Sequence, residues 1–106
     1  MKILAIDRIL PTATEETIRG VVIREALHIW MLYTKDIVRE TYFRKDRPGV
    51  VLVLECESVA DAKKILSTFP MVKNGVIDFD IIPVGHFVPF GTLLDQELLK
   101  SSNPDN

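Results

Sequence analysis

The sequence predicts an α+β domain, a ferredoxin-like βαββαβ fold with one four-stranded antiparallel sheet. Three observations predict it. Four β-rich segments are separated, after the first and after the third, by segments with the apolar spacing of a helix. The third β segment, residues 50–56, is apolar on both faces, as a central, doubly covered strand is. The second and fourth, residues 37–44 and 76–83, mix charges in, which suits sheet edges. Right-handed crossovers likewise place the first and third strands centrally.

Residues 2–9 read as the first strand, with Ile3, Leu4, Ile6 and Ile9 apolar, Leu10 continuing the run and Pro11 ending it. Thr12-Ala13-Thr14-Glu15 offers a capping box for the first helix, and Glu15 and Glu16 suit the positive end of its dipole. The helix runs to Tyr33 or Lys35. Ile18, Val22, Ala26, Ile29 and Tyr33 step by three or four, and Ile23, Leu27, Trp30 and Met31 widen the apolar face. Arg19, Arg24, Glu25, His28 and Lys35 are left for water. A helix this apolar asks for more cover than one small sheet gives, which fits self-association.

Residues 37–44 are β-branched and aromatic, and Asp46-Arg47-Pro48-Gly49 is a turn before the strand at 50–56. Ser58 with Asp61 starts a second helix whose apolar face is Val59, Ala62, Ile65, Leu66 and Phe69, and Pro70 ends it. Asn74-Gly75 is a turn. In 76–83, Ile77, Phe79 and Ile81 share one face, and Asp78 and Asp80 share the other. The stretch 86–94 is too apolar for a free tail and is expected to strap across a surface or a partner. Residues 1–95 are expected to form one domain, and 96–106 a disordered polar tail.

At 106 residues the chain holds one domain at most. It carries 13 Lys+Arg against 15 Asp+Glu, net charge −2, and no aromatic-interleaved basic stripe, so nucleic acid is not an expected partner. The single Cys56 excludes an intramolecular disulfide and points to a reducing, cytoplasmic setting. The longest strongly apolar stretch, residues 26–33, falls far short of the roughly 20 residues that span a bilayer. The apolar start at 1–6 is too short for a signal segment. There is no metal-ligand spacing, no glycine-rich phosphate loop and no nucleophile elbow, so neither metal nor cofactor is expected.

Four residues are candidates for acid–base chemistry. Asp78 and Asp80 sit roughly 7 Å apart on one strand face, as an acid–base pair would, or as the solvated charges of an edge strand. Glu55 shares the Val51 and Val53 face, where it suits proton transfer, or else is an exposed strand end beside Glu57. His86 lies in the apolar strap, where it could close a pocket. On 37–44, strict alternation groups Arg39, Thr41 and Phe43 on one face and Val38, Glu40, Tyr42 and Arg44 on the other. Arg39, Tyr42 and Arg44 are therefore substrate-binding candidates, as holders of a carboxylate or enolate, or else members of cross-strand ion pairs. His28 reads as solvent-exposed and Cys56 as core. The sheet face opposite the helices still holds Val51 and Val53, and a second copy packed face to face, a homodimer, would cover it economically.

The stretch Val38-Arg39-Glu40-Thr41-Tyr42-Phe43-Arg44, then Asp46-Arg47-Pro48-Gly49, then residues 51–58, resembles the dimeric α/β-barrel proteins of the muconolactone-isomerase-like group. Phe69-Pro70-Met71 followed by residues 77–83 resembles the same group. The resemblance covers roughly residues 37–94 and the helix order before them. It implies a ferredoxin-like fold, two sheets pairing into a barrel, and a pocket between sheet and helices. In the isomerase branch it implies a cofactor-free proton shift on a small unsaturated lactone. Trp30 lies inside the first helix and not in a segment before the second strand, a departure from that branch. The resulting expectation is a cofactor-independent isomerase or lyase acting on a small lactone or carboxylated metabolite. The alternative is a non-catalytic dimeric module for small-ligand binding or assembly.

Overall fold

The computed structural model describes residues 1–95, 97 and 100. The chain runs through β1 (Lys2–Ile9), α1 (Glu15–Thr34), β2 (Val38–Phe43) and β3 (Val50–Glu55). It continues through α2 (Val59–Ser67), a short α3 (Pro70–Lys73), β4 (Ile77–Val84) and a 3-10 segment, Val88–Leu94. The four strands form one antiparallel sheet in the order β2-β3-β1-β4. The first and third strands are central, as the residue pattern and crossover handedness require. This is the ferredoxin-like α+β fold. Of the polar tail expected at 96–106, all but residues 97 and 100 lies outside the described residues.

Local chemistry explains the element ends, with two corrections. The capping box of α1 is Thr14 with Thr17, each side chain accepting from the other's backbone N–H at 3.1 and 2.9 Å. Thr12 instead donates its hydroxyl to the Gly75 carbonyl at 2.7 Å, tying the start of α1 to the turn before β4. Pro70 does not simply end a helix. It occupies the first turn of α3, where its missing N–H costs nothing, and Phe69 before it is extended, as a residue preceding proline must be. Ser58 caps α2 by accepting from the Asp61 N–H at 3.0 Å, as expected.

The core lies between the sheet and its helices. Ile3 and Ala5 of β1, Leu52 and Leu54 of β3, and Ile77 and Phe79 of β4 meet Val21 and Leu32 of α1 and Ala62 and Leu66 of α2. Phe69 is fully buried, its ring edge-on to Phe79 at 5.4 Å. Helix α1 is rolled relative to the expected phase. Val21, Glu25 and Leu32 are its buried residues, while Val22, Ala26 and Tyr33 are exposed. So little of this helix is polar that its apolar spacing fits more than one phase. Packing against the sheet selected the line that carries Glu25.

Strand β2 departs from strict alternation. Val38 pairs with Leu54 and Glu40 with Val53, so Arg39 is the extra residue of a β-bulge. Val38 therefore joins Thr41 and Phe43 on the helix side, and is buried, while Glu40 and Tyr42 face the open side. The open face has an apolar centre of Leu4, Ile6, Val51 and Val53. One cross-strand row on it reads Tyr42, Val51, Ile6, Asp80. Beyond β4 the 3-10 segment has no buried residue. Phe87 and Phe90 pack edge-on against each other at 5.0 Å, and Phe87 to Leu94 are all exposed.

Candidate active site

Two carboxylates are the buried charged side chains among the described residues: Asp7, 4% exposed, and Glu25, 5% exposed. Alternation along β1 puts Asp7 on the same side as Ile3 and Ala5. The roll of α1 brings Glu25 to the same end of the core. Between them lies a cavity of about 230 Å³, otherwise apolar, bounded by Ile18, Val22 and Ile29 of α1 and by Phe43, Val50 and Ile77 of the sheet.

Asp7 is neutralised locally. Arg47, from the β2–β3 turn, donates to Asp7 Oδ1 at 3.1 Å and to the Asp7 carbonyl at 2.5 Å. The same guanidinium donates to the Pro48 carbonyl at 2.9 Å and so fixes its own turn. Gly49 is buried under this pair, and a Cβ there would lie 2.5 Å from Asp7 Oδ1 and closer still to Arg47.

Glu25 is left less satisfied. Its Oε1 accepts from the Met71 N–H at 3.1 Å, and its Oε2 is buried without a hydrogen-bond partner. Burial pushes the carboxyl above the usual carboxylate range; the Met71 hydrogen bond pulls the other way, and the Asp7 charge adds to the rise. A buried carboxylate with one uncommitted oxygen, bordering an apolar cavity, is a candidate for taking up and returning a proton.

The candidates read from sequence lie elsewhere. Asp78 and Asp80 are on the open sheet face, where Arg8 bridges them at 3.4 and 2.8 Å and more than half of each side chain is exposed. Tyr42 stands at the other edge of that face, three strand spacings or roughly 14 Å from Asp80. Its hydroxyl donates to Glu40 Oε1 at 2.5 Å, which raises the Tyr42 pKa. Tyr42 and Arg39 border an open groove of about 600 Å³ between β2 and α1, beside the stacked rings of Trp30 and Tyr33. Arg39 Nε donates to the Asp36 carbonyl at 2.8 Å.

Arg44 forks onto Asp46 and holds that carboxyl down to about 2. Glu55 accepts from the Met1 ammonium at 2.8 Å, which lowers its pKa. His86 is exposed just past β4. The structure therefore groups Arg39 with Tyr42 and Asp78 with Asp80; Glu55 is near enough to Arg39 to feel its charge but is engaged by the Met1 ammonium, Arg44 is engaged by Asp46, and His86 stands past the end of β4. His28, expected in solvent, is half-buried: its Nε2 is 2.8 Å from Thr68 Oγ1, its ring meets Phe69 edge-on, and burial lowers its pKa. Cys56 is buried, as expected, and burial pushes its thiol up.

Asp7 and Glu25 were not singled out from sequence, although signals for both existed. Asp7 has the parity of Ile3 and Ala5. Glu25 falls at helical spacing between Val21 and Leu32.

With the geometry in place, comparison with known proteins bears on the fold. The chain is similar to 5-chloro-2-hydroxyhydroquinone dehydrochlorinase (TftG) from Burkholderia phenoliruptrix AC1100, a structure in complex with 2,5-dihydroxybenzoquinone. The TM-score is 0.61 at 18% identity, covering 81% of this chain and 95% of that one. The likeness is one of fold, and it agrees with the ferredoxin-like α+β architecture described above. No family model matches the sequence, and no curated protein matches it. Among the described residues, no helix is long and apolar enough to cross a membrane.

Proposed function

We propose that this protein is a cofactor-independent isomerase or lyase that moves a proton on a small lactone or related carbonyl compound, with Glu25 as the base. The observation that carries the reading is the buried Glu25 carboxylate, its Oε2 unpartnered, beside an apolar cavity. Ionised Glu25 removes a proton from the carbon next to the substrate carbonyl, leaving an enolate and a neutral carboxyl. Returning that proton to the conjugated carbon completes an isomerisation; loss of a leaving group from the enolate completes an elimination. The similar fold of a dehydrochlorinase is consistent with such chemistry.

The working unit in this proposal is a homodimer. The open sheet face has an apolar centre with Arg8, Glu40, Asp78 and Asp80 around it, the usual layout of an interface core and its rim. In a face-to-face pair, Asp78, Asp80 and Tyr42 would line the space between the sheets, which keeps them as a second group to test.

The test is proton NMR of small uncharged butenolides in deuterated buffer with and without the protein. Protein-dependent deuterium entry next to the carbonyl is expected. Glu25→Gln should slow it by at least about 10²-fold, the usual contribution of a general base. Loss in Asp78→Asn with full activity in Glu25→Gln would move the chemistry to the sheet face. No exchange from a folded protein would leave the binding-module reading.

A further inference from the structure

We propose that the cavity between α1 and the sheet selects uncharged small ring compounds bearing one hydrogen-bonding group, and rejects their carboxylated counterparts. This rests on the same cavity as the proposed function and adds the charge of its ligand. The first observation is the lining. Apart from Asp7 and Glu25 it is apolar, and among the described residues that border it none is basic. The second is the state of the neighbouring cation. Arg47 already donates to Asp7 Oδ1, the Asp7 carbonyl and the Pro48 carbonyl. A carboxylate ligand would have to break that pair, leaving Asp7 buried and uncompensated. It would also face Glu25 across a medium of low polarity, where like charges repel strongly.

The third observation is the free valence. Glu25 Oε2 is buried with no partner, whereas Oε1 is taken by the Met71 N–H. Oε2 is enclosed where it stands, so a ligand N–H or O–H would reach it as the Glu25 side chain turns toward the cavity; it would then satisfy a group the protein leaves unpaired, and the apolar walls would take the rest of the ring. The volume, about 230 Å³, accommodates one small ring with a substituent; an apolar cavity of roughly 150 Å³ already binds benzene.

Benzamide and benzoate test this directly, since they share shape and differ in charge. Binding is followed at pH 8 by methyl NMR shifts of Ile18, Val22 and Ile77. Benzamide is expected to bind at least tenfold more tightly than benzoate. Glu25→Gln should narrow that ratio by relieving the repulsion, with Ile18→Trp, which fills the cavity, abolishing both signals. Equal or tighter benzoate binding overturns the proposal, as does the absence of shifts from either compound at millimolar concentration. The two readings fail separately. Selective binding without turnover removes the enzyme and keeps this inference. Exchange that is equally fast on charged and uncharged lactones does the reverse.

Discussion

Replacing Glu25 by glutamine should make the protein more stable at alkaline pH and leave it unchanged in acid. The side chain keeps its size, and its amide oxygen can still accept from the Met71 N–H. What disappears is a buried charge with an unpartnered oxygen, a situation that costs about 1–3 kcal/mol. The sign follows from linkage. The folded protein holds the Glu25 proton to a higher pH than the unfolded chain, whose carboxyl titrates near the ordinary glutamate value of about 4.5. As pH rises from there through the folded value, the native state binds more protons than the unfolded one, so stability falls. Each unit of upward displacement removes about 1.4 kcal/mol, and the loss is complete once both states are ionised.

Thermal unfolding followed by circular dichroism at pH 4, 6 and 8 measures the difference between parent and variant. His28, which is present in both proteins, contributes equally to each and cancels to first order. A gain of about 1–2 kcal/mol at pH 8 is expected, or about 4–9 °C in Tm for a chain of this size, shrinking to nothing at pH 4. A difference that does not vary with pH, or a variant less stable at pH 8, would refute the assignment of Glu25 as a carboxyl held under strain by burial. A group kept at such a cost fits a site where stability has been traded for activity.

Gly49→Ala should destabilise by about 1–3 kcal/mol in urea unfolding, because its Cβ meets Asp7 Oδ1 at 2.5 Å and pushes Arg47 off its partner. The loss should shrink when Arg47 is already methionine, since the contact with the guanidinium is then gone and Asp7 is free to move away. Phe87→Ser with Phe90→Ser should leave the unfolding of the domain within about 0.5 kcal/mol of the parent, because neither ring is buried in this chain. Sedimentation at micromolar concentration should show weaker self-association for that pair, and unchanged association would remove the 87–94 segment from the interface.

The sequence made the sheet legible because its strands differ in kind. Val50 to Leu54 is apolar at every position, whereas β4 alternates Ile77, Phe79 and Ile81 with Asp78 and Asp80. Strand order then followed from crossover handedness. The catalytic candidate was harder to read, for a reason specific to α1. Ile23, Leu27, Trp30 and Met31 are exposed on this chain, so the helix is apolar on faces that do not meet its own core. Periodicity alone could not choose among those faces, and a glutamate on such a helix is most simply assigned to water. Only the packing of α1 against β2 and α3 puts Glu25 beside Met71 and opposite Asp7. Asp7 was hidden differently. Its partner Arg47 is 40 residues away, in a turn whose residues are common in any hairpin.

The bulge at Arg39 gives β2 an unusual tolerance. Within a regular strand, losing one residue reverses the orientation of everything beyond it, sending core side chains to solvent. At Arg39 the opposite holds. Val38 and Glu40 already occupy successive steps opposite Leu54 and Val53, so a chain lacking residue 39 would keep Thr41 and Phe43 facing the helices and Glu40 and Tyr42 facing away. Insertions and deletions among descendants of this fold can therefore accumulate at that one point of the edge strand without scrambling its inside and outside, and they would change the groove beside Trp30 while sparing the core.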